Sequence, residues 1–367
     1  MSGRTLAILL TICGTGGLGL ALLLTPLAAR VARRLDFVDR PGGHKSHQRV
    51  TPYGGGSAIF LAGWLPVLVA LGLVSLGAGE LIVRIAGPWI EPYLGGLRQR
   101  APRTLLILAG GVVLHVLGLF DDRRPVGAWP KLAVMVAVGL VVSALGGVRI
   151  AEFLPVGWSV LLTTLWIVVI TNAFNFLDNM DGLSAGVAAI CSALLVICGI
   201  LAGQVLVPGL ACMFLGALLG FLVYNFPPAR IFMGDAGSLL TGYMLAVVSI
   251  MTSYYQSGSG RPPFALAMPL VVLAVPLYDF VSVVTIRLRE RRNPLVGDQR
   301  HFSHRLVEHG LSRRAAVLTI YLATAATGLL ATLLPGADLR QTVTVVASVV
   351  LVLLIIAILE TPPQKAP

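Results

Sequence analysis

Charge is scarce in this chain of 367 residues: Asp, Glu, Lys and Arg together make up 12%, against about 25% in a typical soluble domain. With 56% hydrophobic residues and a mean hydropathy of +0.88, that scarcity excludes an ordinary soluble globule and reads as a polytopic membrane protein. Cysteine is sparse too. Cys13, Cys191, Cys198 and Cys212 all lie inside apolar runs, which argues against a disulfide framework or a cysteine zinc site. Glycine-rich nucleotide loops of both common types are missing, and no serine or cysteine nucleophile set is present. Acidic residues number 16 against 27 basic ones, for a net charge of +11. In a soluble protein that balance would suggest nucleic acid; here it reads as membrane topology, and no nucleic-acid partner is expected.

What is present in quantity is apolar sequence in lengths of about twenty residues, enough to cross a bilayer. The expected spans are 6–28, 54–76, 103–120, 131–149, 158–176, 184–202, 205–223, 236–254, 264–286, 315–334 and 342–360. The windows at 184–202 and 205–223 almost touch, so the reading is an all-α protein of about eleven transmembrane helices, or ten. The first window is a retained span, because apolar spans continue to Glu360. With the N-terminus outside, nineteen of the 27 Lys and Arg fall on inside segments, in keeping with the positive-inside rule. Residues 1–360 then form a single integral membrane domain, with 361–367 an expected disordered tail. A transporter is the competing reading, but it calls for internal repeats or broken helices, and no paired halves are visible.

Against this background the polar positions stand out. In 171–183 (TNAFNFLDNMDGL), Asn172, Asn175, Asp178 and Asp181 recur every third residue at the foot of an apolar run. On a helix each such step turns the side chain by about 60°. The result is a polar stripe where the flanks suit lipid, and intramembrane carboxylates usually mark function; the plainer reading is a capped helix end before Gly182. Loop 39–56 holds Lys45 and His47 before Gly54 to Gly56, either a headgroup anchor or a phosphate contact whose glycines allow close approach. Asp121 and Asp122 adjoin, and their repulsion calls for compensation by Arg123 and Arg124, by a metal, or by a role in proton transfer. Lys131 opens the next span and could hold a phosphate. Asp235 stands between Gly234 and Gly237, as an N-cap or as a Mg2+ ligand, with those glycines free to crowd a cofactor. Asp279 is expected to pair with Arg287 or Arg289 or to face the bundle interior. In the basic stretch 287–314, Arg300 and Arg305 flank His301 and His304, a pattern better suited to a diphosphate than to zinc.

All these groups fall on the predicted inner face. Carboxylates, phosphate-suited cations and no covalent nucleophile suit Mg2+-assisted phosphoryl transfer. A site at the bilayer boundary suggests a lipid phosphate as one substrate and a cytoplasmic nucleotide as the other.

Five motifs in order, KSH with TPYGG, Asp121-Asp122 with Lys131, NAFNFLDNMDGL from Asn172, FMGDAGS from Phe232, and the Arg300–Arg305 histidine stretch, resemble the polyprenyl-phosphate N-acetylhexosamine-1-phosphate transferase family. The resemblance runs over roughly residues 20–315. It is nearer the branch that loads GlcNAc 1-phosphate onto undecaprenyl phosphate than the phospho-MurNAc-pentapeptide branch, which is the alternative. It implies a bacterial inner-membrane enzyme with a cytoplasmic active site, serving envelope polymers such as lipopolysaccharide, teichoic acid or exopolysaccharide. The implied substrates are a UDP-sugar, most simply UDP-GlcNAc, and undecaprenyl phosphate; the implied cofactor is Mg2+, with Mn2+ as substitute; the implied assembly is a homodimer. The resemblance makes Asp235 the principal metal ligand, with Asp178 beside it. Asp121 or Asp122 accepts the acceptor's proton, Lys131 lies near the phosphates, and Asn172, Asn175, Asp178 and Asp181 belong to the nucleotide and metal pocket. Asn225 and Phe232 face uridine, and Arg300, His301 and His304 the sugar nucleotide. Direct attack by the lipid phosphate is expected, because no residue set calls for a covalent intermediate. Two positions depart from the family pattern: Asn179 replaces a common glycine, and Ser303 a common histidine.

Overall fold

The computed structural model describes residues 3–40, 50–252, 266–293 and 300–360. Lys45 and His47, and the expected tail 361–367, lie outside the described residues. In chain order the elements are α1 (Gly3–Arg34), β1 (Val38–Asp39), β2 (Thr51–Pro52), α2 (Gly55–Ser75), α3 (Gly79–Ala86), α4 (Glu91–Arg123), α5 (Ala128–Ala144), α6 (Val156–Leu177) and α7 (Leu183–Leu201). There follow α8 (Leu206–Asn225), α9 (Gly234–Thr252), α10 (Ala267–Val272), α11 (Ala274–Arg289), α12 (Phe302–Glu308), α13 (Arg313–Leu329) and α14 (Leu339–Leu359). The two short strands pair antiparallel, Val38 opposite Pro52 and Asp39 opposite Thr51.

Helices are the expected outcome for these runs, since lipid offers no partner for backbone groups left open. Among the described residues nine helices are long and apolar enough to cross a membrane: α1, α2, α4, α6, α7, α8, α9, α13 and α14, the fourth and thirteenth lengthened by 3-10 turns. Two of the eleven expected windows take another form. The fourth is α5, 17 residues long, or about 25 Å at 1.5 Å per residue. The ninth is divided at Leu273 into α10 and α11. Pro276 has no N–H to offer the Val272 carbonyl, which instead accepts from Cys191 Sγ at 3.4 Å.

Small residues let backbones meet. A Cβ at Gly17 would lie 2.2 Å from the Met213 carbonyl, and one at Gly216 would lie 2.1 Å from that of Gly14; this is the small-residue packing of membrane helices, and it joins α1 to α8. Helix α9 is the axle, buried along nearly its whole length and packed against α2, α4, α6 and α7. Helices α1, α4, α6, α8, α11 and α14 end, and α2, α5, α7, α9 and α13 begin, at one end of this bundle. All the polar groups described below collect there.

Candidate active site

The first turn of α9 is the floor of the site. Its opening residue, Gly234, has φ +70°, and a Cβ there would sit 2.5 Å from Asp122 Oδ2. The space is needed because Asp122 Oδ1 accepts from Asp235 N at 2.7 Å and Oδ2 from Ala236 N at 3.2 Å. These are donors that a helix N-terminus leaves open, so α4 caps α9 from another part of the chain. One turn earlier a Cβ on Gly118 would fall 2.3 Å from Ala236 Cα. Asp121 points elsewhere: Val126 N donates to its Oδ1 at 2.6 Å. Lys131 Nζ donates to Asp121 Oδ2 at 2.9 Å and to Asp235 Oδ2 at 2.8 Å. The adjacent acids thus face different partners, with Lys131 as the cation beside Asp121 and backbone N–H groups on Asp122; Arg123 reaches the Leu35 carbonyl and covers the Phe37 ring.

The 171–183 stripe is the end of α6 and the turn into α7. Asn172 Nδ2 donates to the Val168 carbonyl at 2.8 Å, and Asn175 Nδ2 to Ser238 Oγ at 3.0 Å. Asp181 Oδ2 accepts from Ala229 N at 2.9 Å. Asn225 bridges the same region, accepting from Gly182 N at 3.0 Å and donating to the Ile231 carbonyl at 2.9 Å. Asp178, just past the helix end, differs from its neighbours: its carboxylate accepts no hydrogen bond from a described residue. Burial raises its pKa well above the usual carboxylate range, and the negative charges of Asp235, Asp122 and Asp181 raise it further.

Two cavities meet here. One, of about 400 Å³, is lined by Asp39, Tyr53, Asp122, Asp181, Asn225, Phe232, His304 and Arg313 among others. The second, of about 520 Å³, has Asp121, Lys131, Asn172, Asn175, Phe176, Arg287 and His301 in its wall. Asp178, Asn179 and Asp235 line both, so the acidic floor is also the partition.

The histidine stretch closes the site as α12. Asp279 Oδ1 accepts from Phe302 N at 2.7 Å, and His301 Nδ1 donates to Asp279 Oδ2 at 3.0 Å. Asp279 therefore serves α12, and neither Arg287 nor Arg289. Burial lowers the His304 pKa, as do the neighbouring His301 and Arg313. Ser303 Oγ donates to Asn179 Oδ1 at 2.5 Å: the two positions that depart from the family pattern touch each other.

Of the residues selected from sequence, Asp121, Asp122, Lys131, Asn172, Asn175, Asp178, Asp181, Asn225, Phe232, Asp235, His301 and His304 all border the cavities. Arg300 is not in either wall and pairs with Glu290 at 3.1 Å. The glycines also have another role. A Cβ on Gly56 would lie 2.3 Å from Gly237 N, and Gly55 N and Gly56 N donate to the Phe232 and Met233 carbonyls at 3.0 Å each; they bring α2 and α9 together. Asp39, Tyr53, Asn179 and Arg313 are additional wall residues. Arg313 carried a signal, its place at the end of the most basic segment, whereas Asp39 sits in a loop whose charge reads as a headgroup anchor.

A membrane bundle with a carboxylate partition, a lysine across two acids and imidazoles over paired polar cavities is of the class that handles phosphorylated substrates at a bilayer surface. Comparison with known proteins narrows the class. Residues 104–253, from α4 to the end of α9, match glycosyl transferase family 4. The probable undecaprenyl-phosphate N-acetylglucosaminyl 1-phosphate transferase of Bacillus subtilis is 32% identical over 309 residues, 82% of this chain and 78% of the relative. The decaprenyl-phosphate N-acetylglucosaminephosphotransferase of Mycobacterium tuberculosis is 35% identical over 319 residues, 80% and 74% of the two chains. The undecaprenyl-phosphate alpha-N-acetylglucosaminyl 1-phosphate transferase of Escherichia coli K12 is 27% identical over 313 residues, covering 81% and 76%. The chain belongs to glycosyl transferase family 4, in its polyprenyl-phosphate GlcNAc-1-phosphate transferase branch.

Proposed function

We propose that this protein transfers GlcNAc 1-phosphate from UDP-GlcNAc to undecaprenyl phosphate, giving the polyprenyl diphosphate sugar and UMP. The observation that carries this reading is the partition: Asp178 and Asp235 face two cavities at once, so two phosphorylated substrates can meet across the same carboxylates. In the reaction an oxygen of the lipid phosphate attacks the donor's β-phosphorus, the bond from that phosphorus to the bridging oxygen breaks, and UMP leaves with the electron pair.

The cavity with Phe232, Asn225, His304 and Arg313 takes the UDP-sugar. Phe232 offers a ring for the uracil, Arg313 a cation for the diphosphate, and His304 a hydrogen bond to the sugar phosphate. The cavity with Lys131 and Arg287 takes the acceptor phosphate. Asp121 borders that second cavity, and in this reading Asp121 or Asp122 receives the acceptor's proton. Asp122, with both oxygens on α9 backbone donors, positions Asp235.

Mg2+ fits the donor set. Among the described residues no three His, Cys, Asp or Glu side chains form a metal cage, but Mg2+ is commonly held by one or two carboxylates together with substrate phosphates and water. Asp178, with no hydrogen-bond donor among the described residues and a raised pKa, and Asp235 are the residues that would hold it, and Mn2+ could use the same oxygens. When bound, the ion neutralises charge on the transferring phosphoryl group. For topology we infer eleven crossings with the N-terminus outside and the site cytoplasmic. Support comes from the alternation of helix ends, which includes α5 and the α10–α11 pair, and from the basic bias of the site-end loops. A homodimer in the bacterial inner membrane is part of this reading.

The test is UMP release by the purified protein in lipid nanodiscs, with UDP-GlcNAc or UDP-MurNAc-pentapeptide as donor and undecaprenyl or decaprenyl phosphate as acceptor. UDP-GlcNAc is expected to react, and only with a polyprenyl phosphate and Mg2+ present. Turnover of the pentapeptide donor alone would move the protein to the peptidoglycan branch.

A further inference from the structure

Helix α14 is an apolar span that contributes nothing to either cavity wall, yet it ends on a buried carboxylate. Glu360, 7% exposed, follows the last turn and sits against the histidine helix. Its Oε1 accepts from Arg305 Nη2 at 2.8 Å and from the Tyr278 hydroxyl. Its main-chain carbonyl accepts from His309 Nε2 at 3.0 Å. Arg305 is also buried and donates to Ser282 Oγ at 2.9 Å and to the Arg300 carbonyl. Arg305 and His309 belong to the same short segment as His301 and His304, and α12 has only seven residues, too few to hold its place by helix propensity alone. A buried ion pair contributes little net stability, because desolvation offsets attraction, but it fixes one arrangement of the groups it joins.

We infer that Glu360 is a positioning residue: through Arg305 and His309 it anchors α12 from the side opposite the cavities, and so sets where His304 stands in the donor cavity. The final span is therefore a latch on the histidine loop. This rests on the donor assignment above.

The test is steady-state kinetics of Glu360→Ala, Glu360→Gln and the α14 control Val350→Ala, an exposed position, with both substrates varied. Glu360→Ala is expected to raise KM for UDP-GlcNAc by about tenfold while kcat and the KM for polyprenyl phosphate stay within about twofold. Glu360→Gln, which keeps an acceptor for Arg305 and Tyr278, is expected to recover most of the loss, and Val350→Ala to behave as the parent protein. In a His304→Ala background, Glu360→Ala is expected to add little, because both changes remove the same contact. An unchanged donor KM, equal losses for both substrates, or full additivity with His304→Ala would overturn the latch. Should Glu360→Ala fail to fold, His309→Ala, which removes the bond to the Glu360 carbonyl, decides instead: a raised donor KM that is not additive with His304→Ala supports the latch, and an unchanged donor KM overturns it. A parent protein that turns over no UDP-GlcNAc would defeat the donor assignment instead, and is seen before any variant is made.

Discussion

The carboxylates and the histidines border the same cavities but are held in different ways. Asp122 and Asp181 accept backbone N–H groups of Asp235, Ala236 and Ala229, so the acidic floor is built into the helix ends themselves. The histidine helix is held by one such bond, Phe302 N to Asp279, and otherwise by side chain meeting side chain, Ser303 on Asn179 and Arg305 on Glu360. In the proposed reaction the floor meets the transferring phosphoryl group and the histidine helix faces the donor. Changes to the floor should therefore affect rate, and changes to the tethers should affect donor affinity.

The largest effect is expected from the partition. Asp178→Ala or Asp235→Ala should each lower the transfer rate by at least about 10²-fold in protein that still folds; near-full turnover in either variant contradicts the site. Asp122→Ala should couple the two regions in a different way, because two buried N–H donors lose their acceptor. A destabilisation of about 1–3 kcal/mol, read as a lower unfolding midpoint, should accompany its loss of rate, whereas Asp178→Ala should lose rate without that penalty.

A pH experiment tests the charge of the floor. Burial and neighbouring acids raise the Asp178 pKa, so its protonated form persists to higher pH in the folded protein than in the unfolded chain. The stability it contributes is present below the unfolded pKa and is lost as pH rises through the folded value. Cations that bind the ionised form should offset that loss, so the thermal shift produced by Mg2+ should grow with rising pH across that range and be lost in Asp178→Asn. A Mg2+ shift independent of pH, or retained in Asp178→Asn, would count against this assignment. The smallest effect belongs to the tether between Asn179 and Ser303. Asn179→Ala and Ser303→Ala should each weaken donor binding modestly, with a coupling of about 1 kcal/mol in the double variant; strict additivity would mean that their contact does not matter.

Much of this arrangement was legible in the sequence because membrane helices and intramembrane acids are both expensive to place elsewhere. Ten of the eleven apolar windows each fall on one helix and the ninth is divided between α10 and α11, and the stripe of Asn172, Asn175, Asp178 and Asp181 does close α6 and line the site. Short elements were not legible: α3 and α12 are too brief for a hydrophobic period to declare them. Pairings across the chain were hidden as well. Asp279 has arginines two and three turns along its own helix, but its partner His301 comes from the next segment, and Ser303 meets Asn179 from 124 residues away. The glycines before α2 and in α9 were read as room for a ligand. The room is used by the helices, since Gly56 meets Gly237 and Gly118 meets Ala236, and only the packed bundle reveals that.

The central claim, that a sugar 1-phosphate moves across the carboxylate partition, is tested most directly by following the phosphorus. With UDP-GlcNAc labelled at its β-phosphorus and undecaprenyl phosphate as acceptor, the label should pass into the lipid fraction in step with unlabelled UMP released to water. Labelled UDP left in the aqueous phase, with sugar alone on the lipid, would contradict it.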